Sequence, residues 1–288
     1  MLDTDLLSNH ISKELNTSCK VVDKKPLSGG DINDVYQLKT NLGNFCIKVN
    51  DAKKYPNMFE KEAKGLDLLR KSAFTIPNVI HFGTIANQSY LLLEFIDSKK
   101  PKDNFWEKFG QQLAQMHQIT QPEFGLDHSN YIGSLVQTND AHKDWVDFFF
   151  TERIIPQTTV AIDHKKLEVE ILFQLEKLYH FIETHYPKEP PTLLHGDLWS
   201  GNYMVDSNGM PALIDPAVYY GNREMDIAMT LLFGGFNPKM YDAYQEVFPL
   251  QNDWKERMEI WQLYPLLVHV NLFGGSYIKR VESILEKF

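Results

Sequence analysis

His195-Gly196-Asp197-Leu198-Trp199-Ser200-Gly201-Asn202 is the stretch on which the reading of the fold turns. It sets an aspartate and an asparagine with four residues between them, the spacing of a kinase catalytic loop. That chemistry needs a carboxylate to orient an acceptor hydroxyl and take its proton. It also needs an amide oxygen one loop turn away to hold Mg²⁺ on nucleotide phosphates. Asp197 is the candidate base and Asn202 the candidate metal ligand. Ile214-Asp215-Pro216 follows 18 residues beyond Asp197, after a turn at Asn208-Gly209. Leu213-Ile214 is predicted as a buried strand that delivers Asp215 as the second metal ligand. Asp, Asn and Gly also populate ordinary turns. Their order here, with each group beside an apolar run, favours the chemical reading.

Working upstream, such a site needs a strand-borne lysine, a helical glutamate to pair with it, and a glycine-rich turn over phosphates. Lys48 stands in Phe45-Cys46-Ile47-Lys48-Val49, on a predicted strand between apolar neighbours. Glu62 follows 14 residues later on a predicted helix, where it can reach Lys48, and Glu60 competes with it. Ser28-Gly29-Gly30-Asp31-Ile32-Asn33 is not a GxGxxG, and a plain Gly-Gly hairpin explains it equally well. Gly29, Gly30 and Asn33 are its candidate phosphate contacts. Leu91-Leu92-Leu93-Glu94-Phe95-Ile96 ends the last strand before a linker. There the Glu94 carbonyl and the Ile96 amide are candidates for the adenine edge.

The whole chain sorts into two lobes. Short β-prone runs are expected over 20–27, 34–39, 44–49, 78–85 and 89–95, with one amphipathic helix over 57–71 closed by Pro77. A charged linker, Asp97-Ser98-Lys99-Lys100-Pro101-Lys102, ends that unit. Beyond it, Asp103 is expected to cap a helix bearing Phe105, Phe109, Leu113 and Met116. Leu167, Ile171, Leu175, Leu178 and Ile182 mark another buried stripe. Further helices are expected over 224–234, 238–247 and 254–287, the last broken near Gly274-Gly275. The expectation is an α+β, bilobal, protein-kinase-like fold, with a nucleotide-binding lobe over 1–96 and a helical catalytic and substrate-binding lobe over 97–288. A cleft between them is the natural ligand site.

Composition narrows the partners. The chain has 288 residues with 43% hydrophobic and 23% charged, an ordinary globular balance. Lys and Arg number 29 against 38 Asp and Glu, and the net charge of −9 argues against binding a phosphate backbone. Two cysteines, Cys19 and Cys46, make no disulfide framework and no zinc motif. The N-terminus lacks a signal-peptide core, and the apolar runs 90–96 and 264–270 are too short to span a bilayer. No nucleic-acid or membrane role is expected, and the chain is placed in the cytoplasm as a monomer or weak homodimer.

Other features bear on the acceptor. Trp199 stands where serine/threonine protein kinases commonly carry a lysine, and there is no Ala-Pro-Glu. Only eight residues lead from Asp215 to Arg223, too few for a protein-kinase activation segment. A small molecule is therefore the expected acceptor. Trp199 either stacks on it, on a sugar face or an alkyl chain, or braces the loop from within the core.

HGDLWSGN (195–202), LIDPAVYYGNREMDIAM (213–229) and FGLDHSNYIGSLVQTNDAHKDWVDFFFTERIIPQ (124–157) resemble the fructosamine/ketosamine kinase family. That family lies in the aminoglycoside-phosphotransferase-like branch of the protein-kinase-like fold, and the resemblance runs from about Ser28 to Leu272. It implies ATP-dependent phosphorylation, with Mg²⁺, of the 3-hydroxyl of a free or protein-bound ketosamine. The product is unstable and releases the amine, a deglycation repair. Ribulosamines and erythrulosamines are expected before fructosamines. Asp197 carries over as base, Asn202 and Asp215 as Mg²⁺ ligands, Lys48 as the α/β-phosphate contact and Glu62 as its partner. Glu224 and Asp226 carry over as acids that brace the loops. One departure is Asp31, where many relatives have cysteine, so a thiol switch in that loop is not expected. A choline or aminoglycoside kinase is the alternative enzyme, and a non-catalytic pseudokinase the alternative class.

Overall fold

Period-two alternation decides the first sheet. Strands β1 (Val21–Pro26), β2 (Asp34–Thr40), β3 (Gly43–Asp51), β4 (Val79–Ile85) and β5 (Gln88–Glu94) form an antiparallel sheet in the order β1-β2-β3-β5-β4. The computed structural model describes residues 4–27 and 32–288. The expectations for Gly29, Gly30 and Asp31 lie outside the described residues. On one face of the sheet Leu38, Ile47, Val49, Tyr90 and Leu92 are buried under Leu7 and Ile11 of helix α1 (Thr4–Glu14). On the other face Leu91 and Leu93 pack with Phe59, Ala63, Leu66 and Leu69 of helix α2 (Met58–Leu69). Lys48 lies between Ile47 and Val49 in β3, so alternation turns it toward the α2 face.

The strands fall within one or two residues of their expected bounds. Helix α1 was not anticipated, because only Leu7 and Ile11 of its eleven residues are buried and its apolar signal is faint. Helix α2 stops at Leu69, well before Pro77. There the Leu69 carbonyl turns to accept from the Ser72 backbone N–H at 2.9 Å and from its hydroxyl at 2.6 Å.

After an irregular stretch over 95–104, α3 (Phe105–Met116) opens the helical part. Asp103 does not cap it. Asn104 holds the cap position without a side-chain bond, and the Phe105 N–H is taken by the Lys102 carbonyl at 3.0 Å. Hairpin β6 (Asn130–Ile132) and β7 (Leu135–Gln137) follows. Next come α4 (Trp145–Phe148), a π-helical stretch (Phe149–Ile154), α5 (Ile155–Asp163) and α6 (Ile171–His185). Leu167 is buried but lies four residues before α6, so the expected stripe begins ahead of its helix.

Two short antiparallel pairs build the floor: β8 (Thr192–Leu194) with β11 (Tyr219–Gly221), and β9 (Tyr203–Val205) with β10 (Pro211–Leu213). Helices α7 (Glu224–Phe233), α8 (Pro238–Val247), α9 (Trp254–Trp261), α10 (Leu263–Phe273) and α11 (Ser276–Leu285) complete the chain. The expected break at Gly274-Gly275 is present, both glycines having positive φ, and Gln262 adds a second break. The core of these helices is continuous with the α2 face of the sheet.

Candidate active site

A cavity of about 860 Å³ lies between the sheet and the helical part, within the range of small-molecule sites. Asn33, Lys48, Glu62, Asp197, Trp199, Asn202 and Asp215 all line it.

Strand β8 ends at Leu194, and the chain must then turn sharply to present Asp197. Gly196 makes the turn at φ 81°, where a Cβ would lie 2.1 Å from the Ala217 carbonyl oxygen, so no other residue fits. Asp226, in the first turn of α7, clamps the turn from below. Its Oδ2 accepts the His195 backbone N–H at 2.8 Å and its Oδ1 that of Gly196 at 2.9 Å. The His195 ring is buried and pinned by its neighbours. Nδ1 accepts the Asp197 backbone N–H at 3.3 Å, which leaves Nε2–H to donate to the Ile214 carbonyl at 2.9 Å. Burial holds its pKa below the ordinary histidine value against the upward pull of Asp226. His195 is therefore a neutral tie between the two loops.

The hairpin of β9 and β10 brings the two metal-ligand candidates together. Leu213 pairs with Tyr203, and the Ile214 N–H donates to the Asn202 carbonyl at 3.1 Å, one rung further. Asn202 gives its amide N–H groups to Asp197, at 2.8 Å to the carbonyl and 2.9 Å to Oδ2 of the carboxylate. Its amide oxygen is the donor that remains for a cation. Burial pushes the Asp197 carboxyl up to about 7. The bond from Asn202 opposes that shift, and the charges of Asp215 and Asp226 reinforce it.

Lys48 joins the lobes. Its Nζ donates to Glu62 Oε1 at 2.6 Å and also to Asp215 Oδ1. Burial works against its charge, but the Asp215 and Glu62 carboxylates outweigh it and keep the lysine protonated. Burial raises the Glu62 carboxyl, opposed by Lys48. Glu60, the competing candidate, instead pairs with Lys64 at 2.8 Å on the exposed side of α2. Asp215 itself stands at φ 55°, a left-handed conformation costing a non-glycine residue about 1–2 kcal/mol.

The donor set fits Mg²⁺. One carboxylate and one amide oxygen are hard donors, and Mg²⁺ takes one or two protein oxygens with phosphates completing its shell. Among the described residues no group of three His, Cys, Asp or Glu is placed to hold a metal without such help.

Trp199 is not a core residue: it is 38% exposed and lines the cavity. Its ring covers Gly201, where a Cβ would lie 2.3 Å from ring carbon, and meets Phe233 edge-on at 6.5 Å between centroids. Asn33 also lines the cavity, with its Oδ1 accepting from Asn50 Nδ2 at 3.1 Å.

Glu94 and Ile96 are not among the residues that line this cavity. Glu94 is tied to Asn78 on β4's side, its N–H donating to the Asn78 carbonyl at 2.8 Å and its carboxylate accepting from Asn78 Nδ2 at 2.6 Å. Glu224 and Asp226 act as braces: Glu224 accepts two bonds from Arg257, at 2.6 and 2.9 Å, and one from Trp261 Nε1 at 2.7 Å. The tie that His195 makes between the two loops has no counterpart in the sequence reading. Asn130 and Gln137 are also buried, and the amide-rich run over 124–157 that holds them carries no periodicity that would show where its side chains point.

Comparison with known proteins agrees with this geometry. The sequence profile of the fructosamine kinase family matches residues 4–288. A protein named a probable ketoamine kinase from Enterococcus faecium is 42% identical over 284 residues, covering 96% of this chain and 98% of the relative. A crystal structure provisionally named a fructosamine-3-kinase, from Haemophilus somnus 129PT, superposes with a TM-score of 0.87 at 29% identity, covering 98% of this chain and 96% of that one. An aminoglycoside phosphotransferase mutant, bound to AMP-PNP and hygromycin B, shares the fold at a TM-score of 0.64 and 17% identity, covering 97% of this chain and 98% of that one.

Proposed function

The chain belongs to the fructosamine kinase family, and on that premise we propose that it transfers the γ-phosphoryl group of ATP to the 3-hydroxyl of a ketosamine. It is a ketosamine kinase, an ATP-dependent phosphotransferase acting on a hydroxyl group. The finer reading, which names the 3-hydroxyl, Mg²⁺ and ribulosamines or erythrulosamines before fructosamines, is ours. One observation carries the phosphoryl-transfer chemistry: Asp197, Asn202, Asp215, Lys48 and Glu62 converge on one cavity that Trp199 also lines. The 3-hydroxyl and the order of sugars rest on the family resemblance.

Asp197 orients the acceptor hydroxyl and takes its proton as the oxygen bonds to phosphorus and the bond to the ADP oxygen breaks. Lys48, held by Glu62, meets the α- and β-phosphates. Asn202 and Asp215 would hold Mg²⁺, which when bound offsets phosphate charge. Trp199 offers a flat apolar face to the sugar or to the carrier beside it. Catalysis of this kind is positioning and charge stabilisation. The phosphorylated ketosamine then breaks down and frees its amine, so the role is deglycation. The cytoplasm suits a reaction that consumes ATP and a chain whose two cysteines are both free thiols.

ADP release with Mg²⁺-ATP tests this on ribulosyl-lysine, fructosyl-lysine, choline and kanamycin, with Asp197→Ala as control. Turnover of the ribulosamine that disappears in the variant is expected. Turnover confined to choline or kanamycin would overturn the substrate.

A further inference from the structure

Buried polar side chains are costly unless each of their groups is used. The segment 124–157 carries Asn130, Gln137, Asn139 and Arg153, which are 4%, 1%, 1% and 0% exposed. None of them has a part in the chemistry described above, yet they form one chain of hydrogen bonds. Arg153 donates to the Thr138 carbonyl and to Asn139 Oδ1, both at 2.6 Å. Its guanidinium lies 4.0 Å from the Tyr219 ring centroid and 4.6 Å from that of Phe148. Asn139 Nδ2 passes the chain on to Asn130 Oδ1 at 3.0 Å.

The far end of the chain is the informative one. Gln137 Nε2 donates to Asn130 Oδ1 at 2.7 Å and to the Ala217 carbonyl at 3.1 Å. Asn130 Nδ2 donates to the Val218 carbonyl at 2.8 Å. The Tyr264 hydroxyl donates to Gln137 Oε1 at 2.7 Å and so fixes which way that amide faces. Ala217 and Val218 follow Asp215 and Pro216 directly. Asp215 is strained at φ 55°, and such a residue keeps its place only where the surroundings over-determine it. His195 holds one side of this arm, through the Ile214 carbonyl and the Ala217 N–H, each at 2.9 Å. Of the carbonyls that His195 leaves, Gln137 takes that of Ala217 and Asn130 that of Val218, while Asn202 Nδ2 reaches that of Asp215 at 3.4 Å.

We propose that Gln137 and Asn130 are positioning residues that hold the Asp215 arm in the conformation that receives the nucleotide-bound cation. Arg153 and Asn139 are the anchor of that pair. The inference rests on the kinase reading above and goes beyond it, because neither amide touches a reacting atom. Hairpin β6–β7 thereby acts as the far jaw of a clamp whose near jaw is the catalytic loop.

The test is the affinity for ADP with and without Mg²⁺, by calorimetry, in the wild type, Gln137→Met, Asp215→Asn and the double variant. Gln137→Met is expected to keep its metal-free ADP affinity and to lose about five- to tenfold of the Mg²⁺-dependent gain. In the Asp215→Asn background the same change is expected to add nothing, because both act through one group. Asn271→Ala, which breaks the 2.8 Å bonds to Gln157 away from the arm, should keep the full gain. A full Mg²⁺ gain in Gln137→Met, or an additive loss in the double variant, would overturn the proposal and leave the kinase reading standing. No gain in the wild type would overturn both. If Gln137→Met does not fold, Tyr264→Phe removes one bond to Gln137 Oε1 and should lower the gain about twofold; an unchanged gain there overturns the proposal.

Discussion

Asn202 binds Asp197 twice through its side-chain amide, at 2.8 Å on the backbone carbonyl and 2.9 Å on the carboxylate. The candidate base and the candidate metal ligand are thus one rigid unit, and neither can move without the other. The carboxylate is held on the oxygen that Asn202 binds, so the remaining oxygen is the one available to an acceptor hydroxyl.

Activity should follow the ionisation of Asp197. Its carboxyl is pushed up to about 7, chiefly by burial, and a base works only when deprotonated. The free-enzyme profile of kcat/KM should therefore fall about tenfold per pH unit below pH ~7 and flatten above it. A profile flat from pH 5 to 8 would remove Asp197 as the base. Asp197→Asn should reduce kcat by several orders of magnitude with ADP affinity unchanged.

The same shift has a sign in stability. Because the folded pKa lies above the unfolded value, the native state binds more protons between pH ~4 and 7. Asp197 therefore makes folding less favourable as pH rises through that window. In the ligand-free protein Asp197→Asn should raise Tm at pH 8 and have little effect at pH 4. Equal shifts at both pH values would contradict the buried carboxyl.

Lys48→Met should destabilise as well as inactivate. It leaves Glu62, 11% exposed at its side chain, without its cation, while Asp215, 36% exposed, is partly rescued by solvent. The loss expected in urea unfolding is about 3 kcal/mol, the low end for a broken buried pair. Adding Glu62→Gln should recover part of it, since the uncompensated charge is then gone.

Asp226→Asn replaces one of two carboxylate acceptors with an amide donor that would face the Gly196 or His195 N–H. The catalytic turn should loosen, and kcat should drop about ten- to a hundredfold with a smaller change in the KM for ATP. A change confined to KM would place Asp226 outside the positioning of the base.

Trp199→Ala should raise the KM for the ketosamine and spare that for ATP. The ring is 38% exposed, lines the cavity and rests against Gly201 and Phe233, so the fold should tolerate its loss within about 1 kcal/mol. Trp199→Phe, which keeps a flat face, should restore most of the affinity. If both variants raise the KM equally, stacking is not the contact.

The local elements and the order of the chemical groups were written in the sequence itself. Alternation in β3 put Lys48 opposite Ile47 and Val49, helical spacing put Glu62 on α2, and the loop spacing put Asp197 and Asn202 within one turn. These are short-range relations, set by strand and helix periods and by a turn that only Gly196 can make. What the tertiary structure alone decided is how distant segments share hydrogen bonds. Glu62 prevailed over Glu60 because one side of α2 faces Lys48 and the other faces solvent. Glu94 and Ile96 are not among the residues that line the cavity, and Glu94 is tied to Asn78. Asp226 reached back to the His195 turn, and Gln137 and Asn130 reached the Ala217 and Val218 carbonyls some eighty residues away in the chain. No periodicity encodes such pairings. A buried amide needs partners, but the partners are chosen by how the elements pack.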